Sequence, residues 1–146
     1  MIRIMRPEDH GEVYELWMKT PGMGLINLDD SAEGLARFLR RNPTSCFVAV
    51  EDGKIVGTIL CGNDGRRGYI YHTAVSQSHQ GKGIGTALLD SALEALEAEG
   101  ICKVALVALK GNADGNGFWE KKGFFAREDL NYRNKMILEA EEIHIQ

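Results

Sequence analysis

Two adjoining stretches of this 146-residue chain carry residue types that could do chemistry. The first is the turn Gln80-Gly81-Lys82-Gly83-Ile84-Gly85-Thr86. Its spaced glycines let backbone N–H groups converge with no Cβ atoms in the way. The residues that follow open an amphipathic helix, which adds unpaired N–H groups and the positive end of a dipole. Such a turn is a seat for phosphate oxygens and points to a pyrophosphate-bearing ligand. The second stretch lies just before it, Tyr69-Ile70-Tyr71-His72-Thr73-Ala74-Val75. Rich in β-branched and aromatic residues, it reads as a strand. It offers an imidazole and two phenols, groups able to hold or move a proton. Strand side chains alternate, so Tyr69, Tyr71 and Thr73 are expected on one face and Ile70, His72 and Ala74 on the other.

The glycine pattern excludes two familiar phosphate-binding designs. Glycines at 81, 83 and 85 do not make Gly-x-Gly-x-x-Gly, and they fall mid-chain rather than after a first strand, against a dinucleotide fold. Lys82 is followed by Gly83 and Ile84, so the Gly-Lys-Ser/Thr ending of a P-loop is absent. Smaller features have a plain reading and a sharper one. Asp29 and Asp30 could attract a cationic amine, or serve as a helix cap and a solvated turn. Arg66 and Arg67 could hold an anionic group at a site rim, or simply complete a hairpin turn.

The elements that must position these residues follow from punctuation and periodicity. Ile2 to Ile4 reads as a first strand, and Pro7 suits the first turn of a helix carrying Val13, Leu16 and Trp17. Residues 20 to 30 read as a loop. Asp30 with Glu33 reads as a capping box for a helix with Leu35, Phe38 and Leu39 inward. Cys46 to Val50 and Ile55 to Cys61 form a hairpin about Asp52-Gly53. The motif helix runs from 84 to about Glu99, with Leu88, Leu89, Ala92, Leu93 and Leu96 inward. Cys102 to Leu109 is a strand, 112 to 122 a helix, and 124 to 138 a closing strand pair. Antiparallel strands beside helices make an α+β, αβα sandwich-like fold with a mixed, mostly antiparallel central sheet, and residues 1–146 read as one domain.

Composition narrows the partners. Seventeen basic against 21 acidic residues give a net charge of −4, which argues against nucleic acid and anionic membranes. No apolar run reaches the roughly 18 residues of a membrane span, and no signal peptide is evident, so the expected location is cytoplasmic. Cys46, Cys61 and Cys102 sit in apolar runs and read as buried, reduced thiols. No cysteines or histidines stand at ligand spacing, so no metal is expected.

Three motifs in order resemble the GCN5-related N-acetyltransferase (GNAT) superfamily. Gln80, Gly83 and Gly85 match its Arg/Gln-x-x-Gly-x-Gly/Ala turn; Ile2-Arg3-Ile4-Met5-Arg6-Pro7 looks like its opening. Asn112-x-x-Gly115-x-x-Phe118-Trp119-x-x-x-Gly123-Phe124 resembles its Asn-x-x-Ala-x-x-Phe-Tyr-x-x-x-Gly-Phe signature. The resemblance spans nearly the whole chain. It implies the acyl-CoA N-acyltransferase fold, and acetyl transfer from acetyl-CoA directly to a primary amine of a small molecule or protein in a ternary complex. It further implies that Gln80, Gly81, Lys82, Gly83, Ile84, Gly85 and Thr86 hold the pyrophosphate. Pantetheine would then pair with the strand end at Ala74 and Val75, beside Asn112 and Trp119. A monomer or homodimer is compatible with all of this.

The chain also departs from that pattern. Trp119 stands where the resemblance expects the tyrosine acid, and an indole N–H donates a hydrogen bond but no proton at accessible pH. No carboxylate appears on the strand 69–75, where relatives place a base on the odd-numbered face. Strict alternation gives Tyr71 the right side with a high pKa, and His72 the right pKa on the packing side. The expected catalysis is a water relay aided by Tyr71 or His72. A catalytically weak acyl-CoA-binding sensor is the alternative function.

Overall fold

The computed structural model describes residues 1–145 of the chain. Five strands form one mixed sheet in the order β1 (Ile2–Ile4), β3 (Phe47–Glu51), β4 (Lys54–Asn63), β5 (Gly68–Val75), β6 (Val104–Leu106). The first four run antiparallel to their neighbours, and β6 lies parallel to β5. The β3–β4 hairpin closes on Asp52 (φ 50°) and Gly53 (φ 74°), two left-handed residues whose twist suits a tight hairpin.

Helices cover both faces. On one face α1 (His10–Met18) and α3 (Ala32–Arg41) bury Val13, Trp17, Leu35 and Leu39 against Val48, Leu60 and Ala74. On the other, α4 (Ile84–Ala98) buries Leu88, Leu89, Ala92 and Leu96 against Ala49, Ile59, Cys61 and Ile70. The α4 stripe is the one its 3.6-residue period predicts. It seats closely because Gly57 leaves room: a Cβ there would stand 3.0 Å from both Ile84 Cγ2 and Leu88 Cδ1. This contact fixes where the glycine turn meets the sheet. α5 (Ala113–Lys121) adds Phe118 and Trp119 to the same core. The αβα sandwich with a mostly antiparallel sheet is the fold expected from the sequence.

Three segments differ from expectation. The strand expected over 102–109 shortens to β6. Residues 20–30 are not a loop but contain β2 (Gly24–Ile26) and the one-turn helix α2 (Asn27–Asp30). The closing strand pair over 124–138 does not form: that stretch has no ladder partner among the described residues, and Phe125 and Ile137 stand 78% and 88% exposed. β-propensity expresses fit to a pleated, half-buried surface, and these residues meet none. Instead β7 (Glu142–His144) pairs antiparallel with β2, laying Ile143 and Ile145 on the first core. Of the cysteines, Cys46 and Cys61 are buried, each thiol pushed up to about 12 by burial, whereas Cys102 is exposed. No described helix is long and apolar enough to cross a membrane, and no described cluster of three His, Cys, Asp or Glu could hold a metal ion.

Candidate active site

The middle of β5 corrects the alternation argument. Along the β4–β5 ladder Ile59 pairs with Thr73 and Cys61 with Ile70, so Tyr71 and His72 together oppose Leu60. Two residues against one is a β-bulge, which re-aims side chains. As a result Ile70, Thr73 and Val75 lie on the α4 side, whereas Tyr69, Tyr71, His72 and Ala74 all face α1 and α3. The contacts agree. His72 packs edge-on against Trp17 of α1 with centroids 4.7 Å apart, and Tyr71 against Phe38 of α3 at 5.6 Å. His72 is therefore not turned into the opposite layer, and Thr73 does not share a face with the tyrosines.

His72 is held by a buried carboxylate that the sequence reading assigned to a helix cap. Its Nε2 lies 2.8 Å from Oδ1 of Asp30, and Asp30 is only 5% exposed. The other carboxylate oxygen accepts the backbone N–H of Ile26 at 2.8 Å. The His10 ring donates through Nε2 to the Asp30 carbonyl, also at 2.8 Å. Asp30 is free for this because Ser31, not Asp30, caps α3: its hydroxyl accepts from Gly34 N at 3.0 Å. With the Nε2 proton directed at Asp30, the lone pair of a neutral His72 ring sits on Nδ1. Trp17 completes the support, donating Nε1–H to Thr58 Oγ1 at 3.1 Å within the core. The sequence contained no local sign of the Asp30–His72 pair, whose members are 42 positions apart.

Beside this pair runs a cavity of about 370 Å³, lined by Ile26, Asp29, Asp30, Phe38, Tyr71 and His72 among others. The Tyr71 ring also leans on Tyr69, centroids 4.6 Å apart. Burial raises the Tyr71 phenol above its ordinary value, and the nearby Asp29 and Tyr132 raise it further. Tyr69 is raised too, by burial first. At neutral pH both hydroxyls keep their protons and serve as donors, not bases.

The glycine turn lies at the other end of β5. Gly81 (φ 78°) and Gly83 (φ 83°) are both left-handed, and a Cβ on either would meet nothing within 4 Å, so a shallow, open backbone cradle precedes α4. Gly83 is the N-cap of α4 and offers no side chain there, which leaves the first-turn N–H groups available. The Gln80 side chain turns back to brace the strand, donating to Val75 O at 3.2 Å. β5 pairs with β6 only from Gly68 to Ile70, and among the described residues the edge from Tyr71 to Val75 has no strand on that side. Within that open stretch Thr73 Oγ1 is buried without a hydrogen-bond partner among the described residues. An open cradle, an unpaired edge and an orphaned hydroxyl fit a long ligand with a pyrophosphate at one end and amides along its arm.

The remaining expected residues lie at the α5 side of this edge. Asn112 caps α5 through Oδ1, which accepts from Gly115 N at 3.0 Å. Trp119 is half-buried between Phe118 and Phe124, centroids 5.0 and 5.3 Å away. The Phe118 ring in turn would stand 3.5 Å from a Cβ on Gly85. Trp119 thus belongs to an aromatic wedge that ties α5 to the start of α4.

A mixed, mostly antiparallel sheet whose edge opens beside a glycine turn, flanked by helices, is the acyl-CoA N-acyltransferase fold. The acetyltransferase (GNAT) family profile matches residues 10–124, and the chain belongs to that family. Solved structures share its fold. Ard1 from Thermoplasma volcanium superposes with a TM-score of 0.71 at 24% identity, covering 86% of this chain and 82% of that one. The PaiA N-acetyltransferase of Thermoplasma acidophilum, solved in complex with coenzyme A, gives 0.75 at 19% identity over 90% and 92% of the two chains. Ribosomal-protein-alanine N-acetyltransferase from Brucella melitensis biovar Abortus 2308 gives 0.67 at 22% identity over 93% and 98%.

Proposed function

We propose that this chain transfers acetyl from acetyl-CoA to a primary amine, with His72 as the proton acceptor and Asp30 as the residue that positions it. The observation that carries the reading is the β5 bulge, which sets the Asp30-bound His72 and the protonated Tyr71 side by side on the wall of one cavity. An alkylammonium with pKa near ~10 is mostly charged at neutral pH and must lose a proton before it can attack. His72 Nδ1 takes that proton, directly or through one water. The amine nitrogen then bonds to the thioester carbonyl carbon and sheds its second proton to solvent, the C–S bond breaks, and the sulfur takes a proton from solvent or from the Tyr71 hydroxyl, which solvent then reprotonates. The CoA pyrophosphate is assigned to the turn from Gln80 to Thr86, where Lys82 supplies the cation that Gln80 does not. The pantetheine arm is assigned to the open edge ending at Ala74 and Val75, beside Asn112 and Trp119, as an added strand would lie.

A panel of primary amines with acetyl-CoA, followed by release of free thiol, tests the reading. Turnover on at least one amine, lost in His72→Ala, is expected. Tight CoA binding by calorimetry with no transfer to any amine would leave an acyl-CoA sensor as the better description.

A further inference from the structure

We propose that the amine acceptor carries an anionic group, a carboxylate or a phosphate, which this chain holds with Arg41, Arg67 and Lys103. This rests on the reading of the His72 cavity as the acceptor site. That cavity adjoins a second one of about 540 Å³, and the two share Phe38, Arg41 and Tyr71 as lining. The far cavity is lined by Arg41 from α3, Arg67 from the β4–β5 turn and Lys103 just before β6, so three separate segments bring cations to one hollow. Arg37, one helical turn before Arg41, lines the near cavity.

The protein's own carboxylates do not answer these charges. Among the described residues none of the six ion pairs includes Arg37, Arg41, Arg67 or Lys103. Asp64 also lines the far cavity, its Oδ1 accepting the backbone N–H groups of Arg66 and Arg67, each at 2.8 Å, so one carboxylate stands there against three cations and the hollow stays net positive. Asp30 is occupied by His72 and Ile26. Asp29 alone faces the near cavity uncommitted, close enough to Tyr71 for its charge to raise the phenol. The chain carries a net −4, so a hollow with three cations and one carboxylate runs against its average. The two ends are complementary to a molecule with an ammonium at one end and an anion at the other. Asp29 and His72 receive the amine, while Arg41, Arg67 and Lys103 receive the anion. Guanidinium forks match carboxylate and phosphate oxygens two at a time, which a neutral amide cannot reproduce. The Asp29-Asp30 pair, which in the sequence could attract a cationic amine or serve as a helix cap and a solvated turn, thus bears on only half of the acceptor.

The test uses the full chain with acetyl-CoA and matched amines of increasing length: ω-aminoalkanoates, ω-aminoalkyl phosphates, the corresponding amides, and α,ω-diamines. Wild type is expected to favour the best anionic amine over its amide by about 10-fold or more in kcat/KM, expressed mainly in KM. That preference should shrink in high salt, because the cations are exposed to solvent. In Arg41→Gln/Arg67→Gln the ratio should fall to near one. The carboxylate and phosphate arms separate the two sources of the anion. An amide or diamine equal to or better than the anionic amines would overturn the proposal. If no amine is acetylated, binding decides instead: glutarate and inorganic phosphate are titrated into the CoA-bound protein and its double variant. Binding to wild type, weakened at least fivefold in the variant, upholds the anion site even though the transferase reading fails. No binding, or binding equal in both, refutes it.

Discussion

Replacing Asp30 by asparagine isolates the positioning of His72 with the least change of shape. The carboxylate is 5% exposed and accepts from His72 Nε2 and Ile26 N, both at 2.8 Å. An amide can keep only one of these roles as acceptor. If its oxygen stays on Ile26, its NH2 faces Nε2, which must then accept, and the proton of the neutral ring moves to Nδ1. The nitrogen needed to take a proton from the amine now carries one. General-base help is worth about 10²- to 10⁴-fold, so kcat/KM should drop roughly 100-fold, near the loss in His72→Ala. Both contacts survive as neutral hydrogen bonds, each weaker than its charge-assisted counterpart by about 1 kcal/mol, so stability falls by about 1–2 kcal/mol. For a chain of this length that lowers Tm by roughly 3–7 °C. Thiol release and a thermal melt on the same preparation read both effects. Asp30→Asn within threefold of wild-type kcat/KM, beside a His72→Ala that is inactive, would show that the imidazole works without this carboxylate.

Three further changes probe other parts of the site. Tyr71→Phe should lower kcat by about 10- to 100-fold if the hydroxyl feeds the departing sulfur, at or just below the usual range for acid–base groups. Because burial and Asp29 raise this phenol, it loses its proton only as pH climbs past about 10, and no alkaline fall of Tyr71 origin should appear below that pH. Gly83→Val forces a β-branched residue to φ 83°, costing about 1–3 kcal/mol in the turn; CoA binding by calorimetry should weaken at least 10-fold, and binding within threefold would remove the turn from the site. Gly34→Ala would drive a Cβ into the carbonyls of Leu28 and Asp29, so α2 must shift; chemical denaturation should show a loss of about 2 kcal/mol or more, and an unchanged midpoint would mean α3 is seated otherwise.

How much the sequence disclosed depended on how local each cause was. The α4 stripe, the glycine turn and the Asp52-Gly53 hairpin are written in neighbouring residues, and each stands where periodicity and turn chemistry put it. The β5 face assignment failed because alternation assumes one residue per rung, whereas Leu60 meets two. Asp30 was read as a cap because capping residues look alike in sequence. Its burial depends on β5 arriving beside it from 42 positions away. Residues 124–138 have strand-forming side chains, but a strand also needs an unpaired neighbour in reach. The last described strand, β7, instead pairs with β2, in a stretch whose glycines and aspartates read as a loop.

The extra residue at Tyr71 and His72 also separates the fold's tolerance from the chemistry's. Because the pair occupies one rung, Ile70 on one flank and Thr73 and Ala74 on the other keep their phase whether that rung holds two residues or one. A chain lacking Tyr71 should therefore retain both cores, with far-ultraviolet dichroism like wild type and a cooperative melt, although Phe38 and Tyr69 lose an aromatic neighbour. A molten, non-cooperative product would show that the rung cannot be shortened. If it can, an insertion at this point can add a working side chain to the cavity while leaving every buried contact of the strand in place, and such a rung is where new chemistry can enter an old sheet.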